Sequence, residues 1–204
     1  MPDVLRTERY TGGLMTTSQT LSSAVFPDRS RLADVALVLG TVAVVSALAQ
    51  VAVPLPFTPV PLTGQTLGVL LSGIVLGRNR AALAMALYLA LGAAGAPVFA
   101  GGKLGLGGPT TGYLLAFPLA AALTGWLAER GWDRKPLTAG LAMLTGSLAI
   151  FALGAGWLSV SVGGLKQAMI LGVLPFVPGD LVKTALASGL LPATWKLVGR
   201  RSRL

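Results

Sequence analysis

The chain contains no cysteine and no histidine. The first absence removes disulfides and thiolate nucleophiles, the second removes imidazole bases, and together they take away the common zinc and haem ligands. Charge is also scarce, at 11% of residues, where ordinary soluble domains carry about a quarter. Only seven carboxylates are present: Asp3, Glu8, Asp28, Asp34, Glu129, Asp133 and Asp180. Six of them lie in the N-terminal segment or at the ends of apolar runs, and Asp180 alone sits in apolar surroundings. No metal site and no catalytic residue are expected from this set. The motifs for nucleotide and acyl chemistry are missing as well. PVFAGGKL has proline where the first glycine of a phosphate loop belongs and leucine after the lysine. GLGGPT near Gly105 fails the dinucleotide pattern at Thr110. No GxSxG occurs, and a serine nucleophile would lack its usual base. The chain is therefore not expected to hydrolyse ATP itself or to be an enzyme.

What is present is apolar surface. Of 204 residues, 53% are hydrophobic and the mean hydropathy is +0.74, more than one soluble core can bury. An all-α integral membrane protein follows. A helical span needs about 20 apolar residues, and the sequence predicts six. They cover 33–53, 66–77 with a start inside LTGQ, 81–95, 112–128, 137–158, and a last span beginning near Pro178. AMILGVLPFVPG before it reads as an outer connecting helix, because Pro175, Pro178 and Gly179 break or start helices. Residues 1–32 read as a polar cytoplasmic tail without the apolar run of a signal peptide, and 33–204 as one six-helix binding domain. Two stretches between spans are not helical. VPLPFTPVPLTGQ has Pro54, Pro56, Pro59 and Pro61, which favour extended backbone. GAPVFAGGKLGLGGPTTG is glycine-rich and suits turns and close backbone approach.

The net charge of +9 has a pattern. With the amino terminus cytoplasmic, alternate connections carry Arg6, Arg9, Arg29 and Arg31, then Arg78 and Arg80, then Arg130, Arg134 and Lys135, then Lys196, Arg200, Arg201 and Arg203. Thirteen of the sixteen basic residues thus fall on one side. Lys103 and Lys166 fall on the other, and Lys183 lies within the last span. This is the positive-inside rule, so both termini are expected in the cytoplasm. The basicity is topological, and a nucleic-acid partner is not expected. The proline loop, the glycine loop and the start of the last span converge on the outer side.

In FVPGDLVK (176–183), Asp180 and Lys183 stand at i and i+3 on one helix face, with Asp180 in the first turn, where the helix dipole favours an anion. Intramembrane charges cost roughly 2.5–3.5 kcal/mol on insertion scales. The pair is either a cap with a local ion pair that neutralises itself, or the polar floor of a ligand site. A carboxylate accepts from a urea or amide N–H, and an ammonium donates to a carbonyl or pairs with a carboxylate. Lys103, in AGGKLGLGG, is either a solvated loop lysine or a cation at a pocket mouth. Gln65, in PLTGQTL, is a helix-end hydrogen bonder or a pocket residue. Phe57, Phe99 and Tyr113 are candidate pocket walls or interfacial belt residues. Ala36/Gly40 and Ala43/Ala47 are small-xxx-small pairs that let a partner helix approach closely.

PLPFTPVPLTGQTLGVLLSG, YLALGAAGAPVFAGG, GPTTGYLLAF and FVPGDLVKTALA, in that order over about residues 37–196, resemble the BioY family. These are the biotin-specific substrate-binding (S) components of energy-coupling factor (ECF) vitamin transporters. The resemblance implies a multi-pass, six-helix bundle in a prokaryotic-type plasma membrane, surrounded by lipid, that captures biotin from outside. Asp180 and Lys183 would meet the ureido ring, and Lys103 the valerate carboxylate; either lysine can take that carboxylate. The small-residue face of the first helix would dock on a transmembrane coupling protein driven by two ATPase subunits, so no cofactor is expected beyond ATP on those partners. A different vitamin on the same scaffold, a solitary biotin transporter, a structural or channel subunit, and a small intramembrane enzyme are the alternatives.

Overall fold

A computed structural model describes residues 20–26 and 30–201, apart from the side chains of 199–201. Arg6, Arg9, Arg29 and Arg203, and with them most of the segment read as a tail, lie outside the described residues. The described chain is mostly helical: α1 Leu21–Val25, α2 Arg31–Gln50, α3 Gln65–Leu76, α4 Arg78–Ala93, α5 Thr111–Ala128, α6 Pro136–Val162, α7 Leu165–Gly172 and α8 Val177–Arg201. Single 3₁₀ turns occupy Ala100–Gly102 and Trp132–Arg134. The proline loop is pinched at its base by a two-residue ribbon. There β1 Ala52–Val53 pairs antiparallel with β2 Leu62–Thr63, Ala52 opposite Thr63 and Val53 opposite Leu62.

Among the described residues α2, α5 and α6 are long and apolar enough to cross a bilayer, and α7 with α8 makes a fourth span if that pair, bent by 53°, is counted as one. The shorter α3 is apolar, but its 12 residues reach only about 18 Å at 1.5 Å per residue. The proline loop shortens it at one end. At the other, Gly77 turns the chain into α4 with φ +83, a conformation that suits glycine. Glu129 Oε1 accepts from the freed Arg78 N at 2.8 Å, placing an anion at the start of α4.

The centre of the bundle is α5, packed on α3, α4 and α6; α2 covers α3 and α4, and α6 carries α7 and α8. In lipid, helices gain little from hydrophobic burial against one another, so close packing of small residues matters. A Cβ on Gly73 would lie 2.0 Å from Thr124 Oγ1 and 2.4 Å from the Ala121 carbonyl oxygen. The glycine therefore fixes how closely α3 and α5 approach. Around that crossing Leu70, Ile74, Met85, Phe117 and Met143 are fully buried. Arg80 clamps α4 to α2 with Nε and Nη2 at 3.0 and 3.1 Å from the two carboxylate oxygens of Asp34.

The outer face of α2 is different. Val38, Val42, Val45 and Ala49 turn inward, whereas Ala36, Gly40, Ala43 and Ala47 are exposed. Nothing lies within 4 Å of a Cβ built on Gly40. Nearer the amino terminus, residues 20–22 of the segment read as a tail are buried. They start α1, which packs on α3 and α8.

Candidate ligand cavity

The proline loop, the glycine loop and the start of α8 meet at one end of the bundle and enclose a cavity of about 210 Å³ with α3, α5 and α6. Asp180, Lys183, Lys103, Gln65, Phe99 and Tyr113 all line it. Phe57 does not. It stands 57% exposed on the proline loop, away from the cavity.

Pro178 and Gly179 fall in the first turn of α8, where proline's missing N–H costs nothing. Asp180 follows, 8% exposed, its N–H donating to the Phe176 carbonyl at 2.9 Å. Lys183 shares that helix face, but no ion pair closes between the two. The Lys183 ammonium reaches across to α3 instead, donating to the Thr63 carbonyl at 2.8 Å and to Thr66 Oγ1 at 3.1 Å. Two of its three donors are thereby held by the chain. The i, i+3 spacing in FVPGDLVK is therefore not closed as a direct hydrogen-bonded ion pair. Ser147, on α6, lines the same cavity, its buried hydroxyl beside the Asp180 carboxylate.

Gln65 opens α3 and is 4% exposed. Its Nε2 donates to Tyr88 Oη, and its Oε1 accepts from Thr63 Oγ1 at 3.3 Å. Tyr88, on α4, donates in turn to the Val98 carbonyl at 2.9 Å. The Phe99 ring packs edge-on against Tyr88, centroids 5.3 Å apart. A Cβ on Gly92 would lie 2.1 Å from that ring, so glycine at 92 makes room for this wall. Tyr113 donates to the Gly172 carbonyl at 2.8 Å, which joins α5 to α7.

Both loops are tied down near the cavity. Thr58 Oγ1 donates to the Leu171 carbonyl at 2.7 Å, fastening the proline loop to α7. Trp157 Nε1 donates to the Gly108 carbonyl at 3.1 Å, and Gly105 N to the Gly92 carbonyl at 2.8 Å, fastening the glycine loop to α6 and α4. Lys103 is exposed and lines the cavity from this loop.

Sequence reasoning left out Thr66, Phe117, Ser147 and Ile150 on the cavity wall, and Tyr88 behind it. These lie within apolar spans at ordinary helical positions, so no local pattern marks them. Only Thr66 had a signal, in its position directly after Gln65. Among the described residues no three His, Cys, Asp or Glu side chains gather as a metal site. The cavity brings together a carboxylate acceptor, an ammonium donor, an amide and a hydroxyl, between walls of Phe117, Ile150 and Phe151. That arrangement suits a small ligand with a polar head and an apolar body.

The match to known proteins is extensive. A crystal structure described as the S-component for biotin from an ECF-type ABC transporter superposes with a TM-score of 0.74 and 26% identity, over 81% of this chain and 92% of that one. The probable biotin transporter BioY of Pyrococcus horikoshii is 44% identical over 157 residues, covering 76% of this chain and 91% of its own length. The biotin transporter BioY of Rhodobacter capsulatus is 46% identical over 158 residues, covering 70% and 82%. The family model described as BioY family matches residues 16–200, a stretch holding every cavity residue, and the chain belongs to that family.

Proposed function

We propose that the protein is the biotin-binding S component of an ECF transporter. On this reading it crosses the plasma membrane six times with both termini in the cytoplasm and receives biotin from outside. The ureido ring of biotin offers two N–H donors and one carbonyl acceptor, and its valerate chain ends in a carboxylate. Asp180 accepts from a ureido N–H. The remaining Lys183 donor serves the ureido carbonyl, and Lys103 meets the valerate carboxylate from the glycine loop. Water is displaced as the loops pack on the ligand, which strengthens these hydrogen bonds. The exposed small-residue face of α2, with Ala36, Gly40, Ala43 and Ala47, docks on a transmembrane coupling protein, and two ATPase subunits drive uptake.

One observation carries the reading. Asp180 and Lys183 line a single cavity, with the ammonium hydrogen-bonded to Thr63 and Thr66 and not to the carboxylate, and a urea supplies the complement to both. Equilibrium dialysis of purified protein with labelled biotin tests it. Hydrogen bonds to charged groups contribute roughly 1.5–3 kcal/mol, so Asp180→Asn and Lys183→Ala are each expected to weaken binding by about 10- to 100-fold. Unchanged affinity in both variants would remove these residues from the site. Stronger competition by riboflavin or thiamine than by unlabelled biotin would reassign the vitamin.

A further inference from the structure

Tyr88 never touches the cavity, yet it is fully buried, and its hydroxyl stands between Gln65 and the backbone of the glycine loop. Donor and acceptor parity makes this contact directional. The Val98 carbonyl can only accept, so the single Tyr88 proton points there. Tyr88 Oη is then an acceptor toward Gln65, and only the amide NH₂ can meet it. The amide is thereby fixed with Nε2 on Tyr88 and Oε1 toward Thr63, beside the cavity. Thr63 in turn presents its carbonyl to Lys183. Hydrogen bonds therefore run from the loop carbonyl at 98 through Tyr88 and Gln65 to the Thr63 hydroxyl, and the carbonyl of the same residue holds the ammonium on α8.

We propose that Tyr88 is a positioning residue that sets the hydrogen-bond polarity of the site: it holds Gln65 as an acceptor, so that with Asp180 the cavity presents two acceptors and selects a ligand head bearing two N–H donors. The inference rests on the reading of the cavity as a biotin site. A free amide could rotate and present NH₂ as readily as oxygen, and would then no longer favour an N–H at that point of the head. The lock removes that freedom without adding a contact to the ligand. The ring of Tyr88 has a separate task, packing on Phe99 and on Phe117 at 5.3 and 6.3 Å between centroids. A phenylalanine keeps that task and loses only the hydroxyl.

The test compares Tyr88→Phe and Gln65→Met with the parent protein by equilibrium dialysis, using biotin and two analogues, each methylated on a different ureido nitrogen. The parent protein is expected to prefer biotin to both analogues. Tyr88→Phe should weaken biotin binding by about tenfold, the scale of one buried hydrogen bond, while leaving one analogue almost unaffected, so that discrimination against that analogue collapses. Gln65→Met should lose the same discrimination. Equal losses for biotin and both analogues in Tyr88→Phe would mean a merely structural hydroxyl and overturn the proposal. Full discrimination retained by Gln65→Met overturns it as well, even if Tyr88→Phe fails to fold. A parent protein that binds no biotin instead defeats the reading of the cavity, so the two failures are told apart.

Discussion

Two buried carboxylates sit at the two ends of α8, in different surroundings. Asp180 lies in its first turn; Asp133, in the turn between α5 and α6, is bound to Trp195 near its far end. Asp133 is fully buried, with Oδ2 accepting from the Trp195 indole N–H at 2.6 Å. The Arg134 guanidinium lies over the same indole, 4.7 Å from the ring centroid. Thr138 Oγ1 closes the turn on the Trp132 carbonyl at 2.6 Å. Asp180 is nearly as buried, but the lysine one turn later is committed to Thr63 and Thr66, and the space beside the carboxylate is a cavity. An acid without a partner in an apolar site is costly. At position 133 the chain itself supplies the donor to one carboxylate oxygen, Oδ2. At position 180 the carboxylate borders a cavity with the Ser147 hydroxyl beside it, and on the biotin reading proposed above the further donors come from the ligand.

The largest test of this contrast makes the same substitution at both ends. Asp133→Asn is expected to leave biotin affinity within about twofold of the parent, well inside the 10- to 100-fold loss expected for Asp180→Asn from a charge-assisted hydrogen bond. Dialysis on the two variants side by side reads it. Equal losses would mean that the ends of α8 are coupled and that the distinction between tie and receptor is false.

A smaller effect should appear in stability and not in binding. Trp195→Phe keeps an aromatic ring under Arg134 but removes the indole donor to Asp133 Oδ2. Leaving a buried acceptor unpaired costs about 1–3 kcal/mol, and a chain of this length loses roughly 2–4 °C in unfolding midpoint per kcal/mol. Thermal unfolding in detergent should show that drop with biotin affinity unchanged. A lowered affinity with an unchanged midpoint would reverse the assignment.

How far the sequence carried this picture varied with the range of the interaction. Helix positions were legible because hydropathy and the breaks at Gly77, Pro136 and Pro178 are local signals. The expected last span began within a residue of Val177, and the second inside LTGQ at Gln65. The convergence of the proline loop, the glycine loop and Asp180 was legible from charge placement. What stayed hidden depended on contacts between distant segments. Lys183 finds its acceptor 120 residues away, so spacing alone suggested the nearby Asp180. Tyr88 is one aromatic in an alanine- and leucine-rich helix, and its role exists only because Val98 and Gln65 fold onto it. Phe57 was a candidate wall or belt residue by its aromatic ring alone, and it stands exposed on the proline loop and does not line the cavity.

The smallest effect separates the two ends by pH. Burial holds the Asp133 carboxyl above its usual range, against the lowering influence of the Trp195 hydrogen bond and the Arg134 charge. The folded protein therefore binds this proton more tightly than the unfolded chain, whose carboxyl titrates near about 4. Between those two pKa values the native state carries more protons, so stability falls as pH rises through the window and is level above it. Asparagine at 133 has no proton to lose and escapes that decline while still offering an oxygen to Trp195. The unfolding midpoint of Asp133→Asn minus that of the parent should therefore grow as pH is raised from about 4 and then plateau. A difference that shrinks with rising pH would mean that the ionised carboxylate is the form the fold prefers, and that Trp195 and Arg134 more than offset its burial.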